Sequence, residues 1–225
     1  MDNLSSIVAV TRHSGLVPRG AFGLADGELA DLADLRTIVL IGMAGRAGWG
    51  AFAASAEARD GHEHPLDRFS RRVIDALACD LSAVALYPFG GPPHLPFQQW
   101  AQRAEPVHAS PIGLLIHAEY GLWHSYRGAL GFARAFDVPP LKASPSPCDS
   151  CDARWCLCAC PVGAFSAQGY DVAACAAYLQ SAAGASCMEG GCLARRACPV
   201  GAEHGASPEQ AAFTMRAFLR ARQAA

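Results

Sequence analysis

The chain has 225 residues, 52% of them hydrophobic, with a formal net charge of −2 and a single lysine, Lys142. That is enough apolar material for one larger domain and one small one, and the scattered basic residues argue against a nucleic-acid partner. No apolar run is long enough to span a membrane, and the start, MDNLSSIVAV, carries an acid at Asp2 instead of the basic stretch of a secretory signal.

Residues 1–35 are polar and mixed and hold no strong signal; the stretch LVPRG at 16–20 matches a protease-tag site by coincidence. The run at 37–42, TIVLIG, is β-branched and apolar and predicts a buried strand. The glycine-rich GMAGRAGWG (42–50) lacks a phosphate-binding fingerprint and reads as a turn. Pro65 to Cys79 predicts an amphipathic helix, with Pro65 in its first turn and Leu66, Phe69, Val73, Ile74 and Leu77 on one face. A second strand is expected at 83–87, broken by GGPP at 90–93, then a short helix at 97–104. Two strand-like runs follow, at 112–117 and 125–132, joined by AEYGLW.

This order predicts an α+β domain over residues 1–138. The Pro- and Ser-rich stretch at 137–148 is a natural linker, a cysteine-rich domain is expected at 139–205, and a closing helix at 206–225. That helix has Ser207 as N-cap, Pro208 first in line, and an apolar stripe of Ala212, Met215, Phe218 and Leu219.

Ten cysteines dominate the chemistry. Nine lie between Cys148 and Cys198, and Cys79 stands alone. Without an export signal a reducing, cytoplasmic compartment is expected, where thiols serve as metal ligands more often than as disulfides. The first run is Cys148-x2-Cys151-x4-Cys156-x3-Cys160-Pro161, and the second is Cys175-x11-Cys187-x4-Cys192-x5-Cys198-Pro199. Both end in Cys-Pro-Val-Gly-Ala, at 160–164 and 198–202. The repeat resembles the two-cluster ferredoxins, whose fourth cysteine ligates the other cluster. Three thiolates on one tight loop hold three corners of a cubane, and the fourth corner needs a ligand from distant chain. On that rule Cys148, Cys151, Cys156 and Cys198 hold one 4Fe–4S cluster, and Cys160, Cys175, Cys187 and Cys192 hold the other. Cys158 is an alternative to Cys156 or Cys160, because the spacings depart from the ferredoxin standard. Two four-cysteine zinc sites would also absorb eight thiols.

Two resemblances extend this reading. The cysteine region resembles the iron–sulfur part of epoxyqueuosine reductase and of reductive dehalogenases, through Cys-Pro-Val-Gly-Ala and the lone cysteine in the segment 170–179, YDVAACAAYL. The preceding region resembles the cobalamin-trafficking (decyanase and dealkylase) family. The matching stretch runs from Ile116 to Gly128, followed by Val138-Pro139, and the His64-Pro-Leu-Asp67 segment is similar to that family's D-P-L-D. The resemblance implies a nitroreductase-like first domain joined to a bacterial-ferredoxin-like two-cluster domain. It implies cobalamin as ligand, contacted by His117, Tyr120, Gly121, Trp123, His124, Tyr126, Arg127 and Gly128. Tyr120, Gly121 and Trp123 would wall the corrin ring, and Arg127 would donate to an amide or phosphate. Flavin is a further cofactor that the nitroreductase-like family binds.

The function expected is an oxidoreductase that reduces or reductively processes cobalamin, fed by an electron donor the sequence does not name. A corrinoid-dependent reductase of another small substrate and a ferredoxin-like carrier are the alternatives. Arg154, Arg195 and Arg196 lie close in sequence to the cysteines, either as solvated charges or as stabilisers of a reduced cluster.

Overall fold

The computed structural model describes residues 7, 8, 11, 14–25, 27–29 and 32–223; the outermost residues of the expected first domain and closing helix lie outside them. The described chain divides into two compact units. One comprises 1–106 and 124–144, the other 107–123 and 145–225.

The first unit is built on a four-stranded antiparallel sheet. Strand β1 is Val17–Gly23, β2 is Thr37–Ala44, β3 is Val84–Leu86 and β6 is His124–Phe132, and the order across the sheet is β1-β2-β6-β3. Strand β2 is buried from Thr37 to Met43 without alternation, as a central strand covered on both faces must be. It pairs with β1 on one side and β6 on the other, with a register shift at Ile41/Gly42.

Helix α1 (Ala47–Ala53) follows β2, so the glycine-rich stretch is not a turn throughout: it ends β2, turns, and starts a helix. Phe52 explains this. It is 1% exposed, meets Phe69 edge-on and packs on a tilted Trp49, and this packing overrides poor glycine propensity. Helix α2 (Pro65–Leu81) buries Phe69, Val73, Ile74 and Leu77 on one face. It stops at Ser82, which turns left-handed (φ 52°) with its N–H returned to the last-turn carbonyls. Helix α3 (Phe97–Ala104) seats Trp100, 1% exposed, against Phe22 and Phe97.

Strand β1 was not foreseen. Its Pro18, Arg19 and Gly20 interrupt any strand pattern, yet Arg19 is 3% exposed and pairs with Glu105 at 2.9 Å. A buried charge is tolerable only when paired in this way.

The second unit begins with β4 (Val107–Ala109) and β5 (Leu115–His117), a two-stranded antiparallel sheet. The strand-like run at 112–117 is therefore a strand only over its last three residues; Gly113 turns the chain back on β4, with its N–H on the Ser110 carbonyl. From residue 145 the unit is a set of short pieces: α4 (Trp155–Cys158), β7 (Phe165–Ser166), β8 (Gly169–Tyr170), α5 (Val172–Gln180), α6 (Ala185–Gly190), α7 (Leu193–Arg196) and α8 (Pro208–Gln223). Helix α8 starts where Ser207 accepts from the Gln210 N–H, and it packs on α6 through Met215. No described helix is long and apolar enough to cross a membrane.

Candidate metal centre

The duplicated Cys-Pro-Val-Gly-Ala segments fold alike. Each follows a single-turn helix, α4 or α7, and the two helices pack together. Each glycine, Gly163 (φ 58°) and Gly201 (φ 65°), is left-handed, and in the first segment the turn brings the Ala164 N–H onto the Cys160 sulfur at 3.3 Å.

The ten cysteines all carry free thiols, and the structure sorts them. Burial pushes the Cys148 and Cys156 thiols up, and neighbouring sulfurs add to it: Cys148 is within electrostatic reach of Cys198, Cys156 and Cys151, and Cys156 of Cys198 and Cys151. All four line one cavity of about 430 Å³, walled by Pro111, Ile116 and Val200. A second set gathers elsewhere in the same unit. Burial raises Cys175 and Cys192; Cys175 is within electrostatic reach of Cys160 and Cys187, and Cys192 of Cys187 and Cys175. Cys187 is 5% exposed beneath Leu179 and Met215. Cys158 and Cys79 are exposed and stand in neither set.

The donor chemistry fits two cubane clusters. Four thiols would also suit a zinc ion; among the described residues no three His, Cys, Asp or Glu side chains are drawn together as a ready site for a single metal ion. Four thiols spread around one cavity match a larger metal–sulfide group.

The segment at 107–123 forms part of this centre's wall. Ile112, Ile116 and Leu122 pack with Ala194 against Cys148, Cys156, Cys160, Cys192 and Cys198. A Cβ on Gly121 would fall 1.8 Å from the Val200 carbonyl oxygen, and one on Gly201 2.4 Å from the Tyr120 carbonyl carbon. These two glycines allow backbone against backbone. No signal in the sequence joined this segment to the cysteines.

The residues read as cobalamin contacts fall in both units, and each has an internal role. In the second unit, His117 Nδ1 accepts from the N–H groups of Glu119 and Tyr120, and its ring stacks on Tyr120. Gly121 meets Val200, and Trp123 lies under the Arg195 guanidinium at 4.5 Å. In the first unit, the His124 ring meets Tyr126 edge-on. The Tyr126 hydroxyl donates to Glu105, and burial, reinforced by Glu105, pushes that phenol well up. Arg127 donates to Asp67 and, at 3.0 Å, to Ser70, so its fork is taken within the protein. Gly128 is small because Ile74 and the Leu86 carbonyl leave no room. The two halves of the trafficking-family resemblance thus meet as one ion pair, Asp67 with Arg127.

Of the three arginines near the cysteines, Arg154 and Arg196 are exposed. Arg195 is not. It donates to the Leu122 carbonyl through Nε (3.1 Å) and Nη2, stacks on Trp123, and lies within electrostatic reach of Cys192. Burial lowers its pKa, yet a guanidinium stays charged in proteins.

Fold and site together define an α+β protein with a small unit that gathers two sets of four thiols. No protein-family profile and no curated protein sequence matches the chain. Among solved structures it is similar to epoxyqueuosine reductase. A selenomethionine-labelled crystal structure gives a TM-score of 0.54 at 15% identity, over 93% of this chain and 70% of that one. The Bacillus subtilis protein, with its catalytic loop swung out of the active site, gives 0.52 at 14% identity, over 93% and 69%. The Streptococcus thermophilus protein gives 0.51 at 15% identity, over 89% of this chain and 66% of that one, so the chain spans about two thirds of such proteins. At these identities the likeness is one of fold.

One expectation is corrected here. Scattered basic residues were read as excluding nucleic acid, but a structure of epoxyqueuosine reductase, the protein whose fold this chain shares, was solved with a tRNA stem loop. Nucleic-acid contact needs only local cationic patches, which the net charge of the chain does not measure.

Proposed function

We propose that this protein is an iron–sulfur oxidoreductase whose second unit holds two cubane clusters, one on Cys148, Cys151, Cys156 and Cys198, the other on Cys160, Cys175, Cys187 and Cys192. When bound, such clusters supply one-electron storage and transfer at potentials between roughly −700 and +450 mV. The observation that carries the reading is that thiols from both ends of the cysteine region line one cavity. The residues' part is to supply thiolates, to exclude water through Ile112, Ile116 and Leu122, and to fix the sulfurs by hydrogen bonds such as Ala164 N–H to Cys160. Likeness of fold to epoxyqueuosine reductase supports a reductase role. Anaerobic reconstitution tests this: a brown protein with about eight irons and eight sulfides per chain is expected from two such cubanes, and protein without iron or sulfide overturns it.

The finer reading makes a corrinoid the electron acceptor. It is supported by the sequence resemblance between residues 116 and 128, where the predicted contacts now stand as parts of two units. Titration of the reconstituted protein with hydroxocobalamin is expected to shift the corrinoid absorption, as displacement of the lower base requires. An unchanged spectrum at micromolar protein leaves an electron carrier for another acceptor.

A further inference from the structure

The two thiol sets differ in what surrounds them. The first lines an open cavity beside Trp155, which is 58% exposed. Both are met by polar hydrogens, the first from Ser146 on Cys148 and from the backbone N–H groups of Leu157 and Cys156 on Cys156, but the second also has a buried charge beside it. The Tyr170 hydroxyl donates to Cys175, and backbone N–H groups of Ala194 and Arg195 donate to Cys192. The Arg195 guanidinium is held by the Leu122 carbonyl and the Trp123 ring; Leu122 belongs to the apolar cluster against which Cys192 packs, and that sulfur is within electrostatic reach of the guanidinium. Tyr170 is itself fixed, stacked on Phe165 at 4.7 Å and near Phe218.

We infer that Arg195 and Tyr170 are positioning residues that raise the reduction potential of the second thiol set's cluster relative to the first, making it the preferred resting place for an electron. The inference rests on the cluster reading above. Taking up one electron adds one negative charge to a site already negative from its thiolates. A fixed cation and a donated hydrogen bond both favour that more negative state, and the effect is stronger for the buried Arg195 than for Tyr170, which is 38% exposed. Arg154 lines the first set's cavity but is exposed, where solvent screens it.

The test is a dithionite titration of the reconstituted full chain, followed by electron paramagnetic resonance, with Cys175→Ser used to assign one of the two waves to the second set. Arg195→Met is expected to move that wave down by about 59 mV, a tenfold fall in the reduced-to-oxidised ratio at fixed potential, and to leave the other in place. Tyr170→Phe is expected to move the same wave down by less, and Arg195→Lys to restore much of the Met variant's loss, which a packing role alone would not do. Unmoved or upward-moving waves in Arg195→Met and Tyr170→Phe with full iron content overturn the inference and leave the cluster reading intact. A wild-type chain without iron overturns the reading itself. If Arg195→Met loses its iron, Tyr170→Phe and Arg195→Lys decide by the same wave: a drop in the former with little change in the latter supports the inference, and no drop in the former overturns it.

Discussion

In the sheet unit Ile38, Val39, Leu40, Ile41, Ile74 and Leu130 are wholly buried, whereas in the cysteine unit the buried Ile112, Ile116, Leu122 and Leu179 pack against thiols. The first is a core that closes on itself by apolar burial, at about 25 cal/mol per Å². The second is made mostly of short pieces, with α5 and α8 as its longer helices, and its apolar side chains close on sulfur. Its sulfurs occupy the place a larger core would fill. The lesson is that one chain builds two kinds of core, one of apolar side chains alone and one shared with thiols.

The most severe way to break that comparison is to remove the metal. Stripping iron with a chelator under reducing conditions is expected to unfold most of the second unit and spare the first. Limited proteolysis checks it, with cuts confined to 107–123 and 145–223. Next, Cys156→Ser is expected to lose about half of the iron, while Cys158→Ser loses none, by iron assay on both variants. In the other unit, Leu130→Ala is expected to cost about 2–5 kcal/mol in denaturant unfolding and leave iron per folded chain unchanged. Gly121→Ala pushes a methyl into the Val200 carbonyl; a loss of about 1–3 kcal/mol is expected, seen as faster iron release. The mildest test is acid. The Arg72 guanidinium beside Glu57 holds that carboxyl down at about 2. The pair's stabilisation is therefore present above the ordinary carboxylate value of 4.5 and is lost as pH falls toward 2. Arg72 is 59% exposed, so solvent screens the pair and Arg72→Ala is expected to flatten the acid slope of unfolding by less than about 1 kcal/mol.

Much of this was legible in the amino acids. Helix α2 declared itself by Pro65 and its apolar stripe, β2 by an unbroken β-branched run, and the thiol sets by two Cys-Pro endings. What stayed hidden was non-local. Ile112, Ile116 and Leu122 announce burial without saying against what, and only the fold brings them to Cys148 and Cys198. Strand β1 contains Pro18 and Gly20, and its Arg19 finds Glu105 far along the chain. The resemblance gave Arg127 a ligand to hold, and the sequence did not show its partner Asp67, sixty positions earlier in helix α2. Arg195 looked like one of three surface charges, and nothing in its neighbours distinguished it.

The facing glycines Gly121 and Gly201 carry one further consequence. The cysteine unit is assembled from chain on both sides of β6, so it is not a cassette. A fragment of residues 145–225 grafted onto another protein would carry nine of the ten cysteines and still leave one flank bare, since the hairpin that seals it is encoded upstream. During synthesis that hairpin leaves the ribosome before any of the cysteines at 148–198, so the seal waits for its contents.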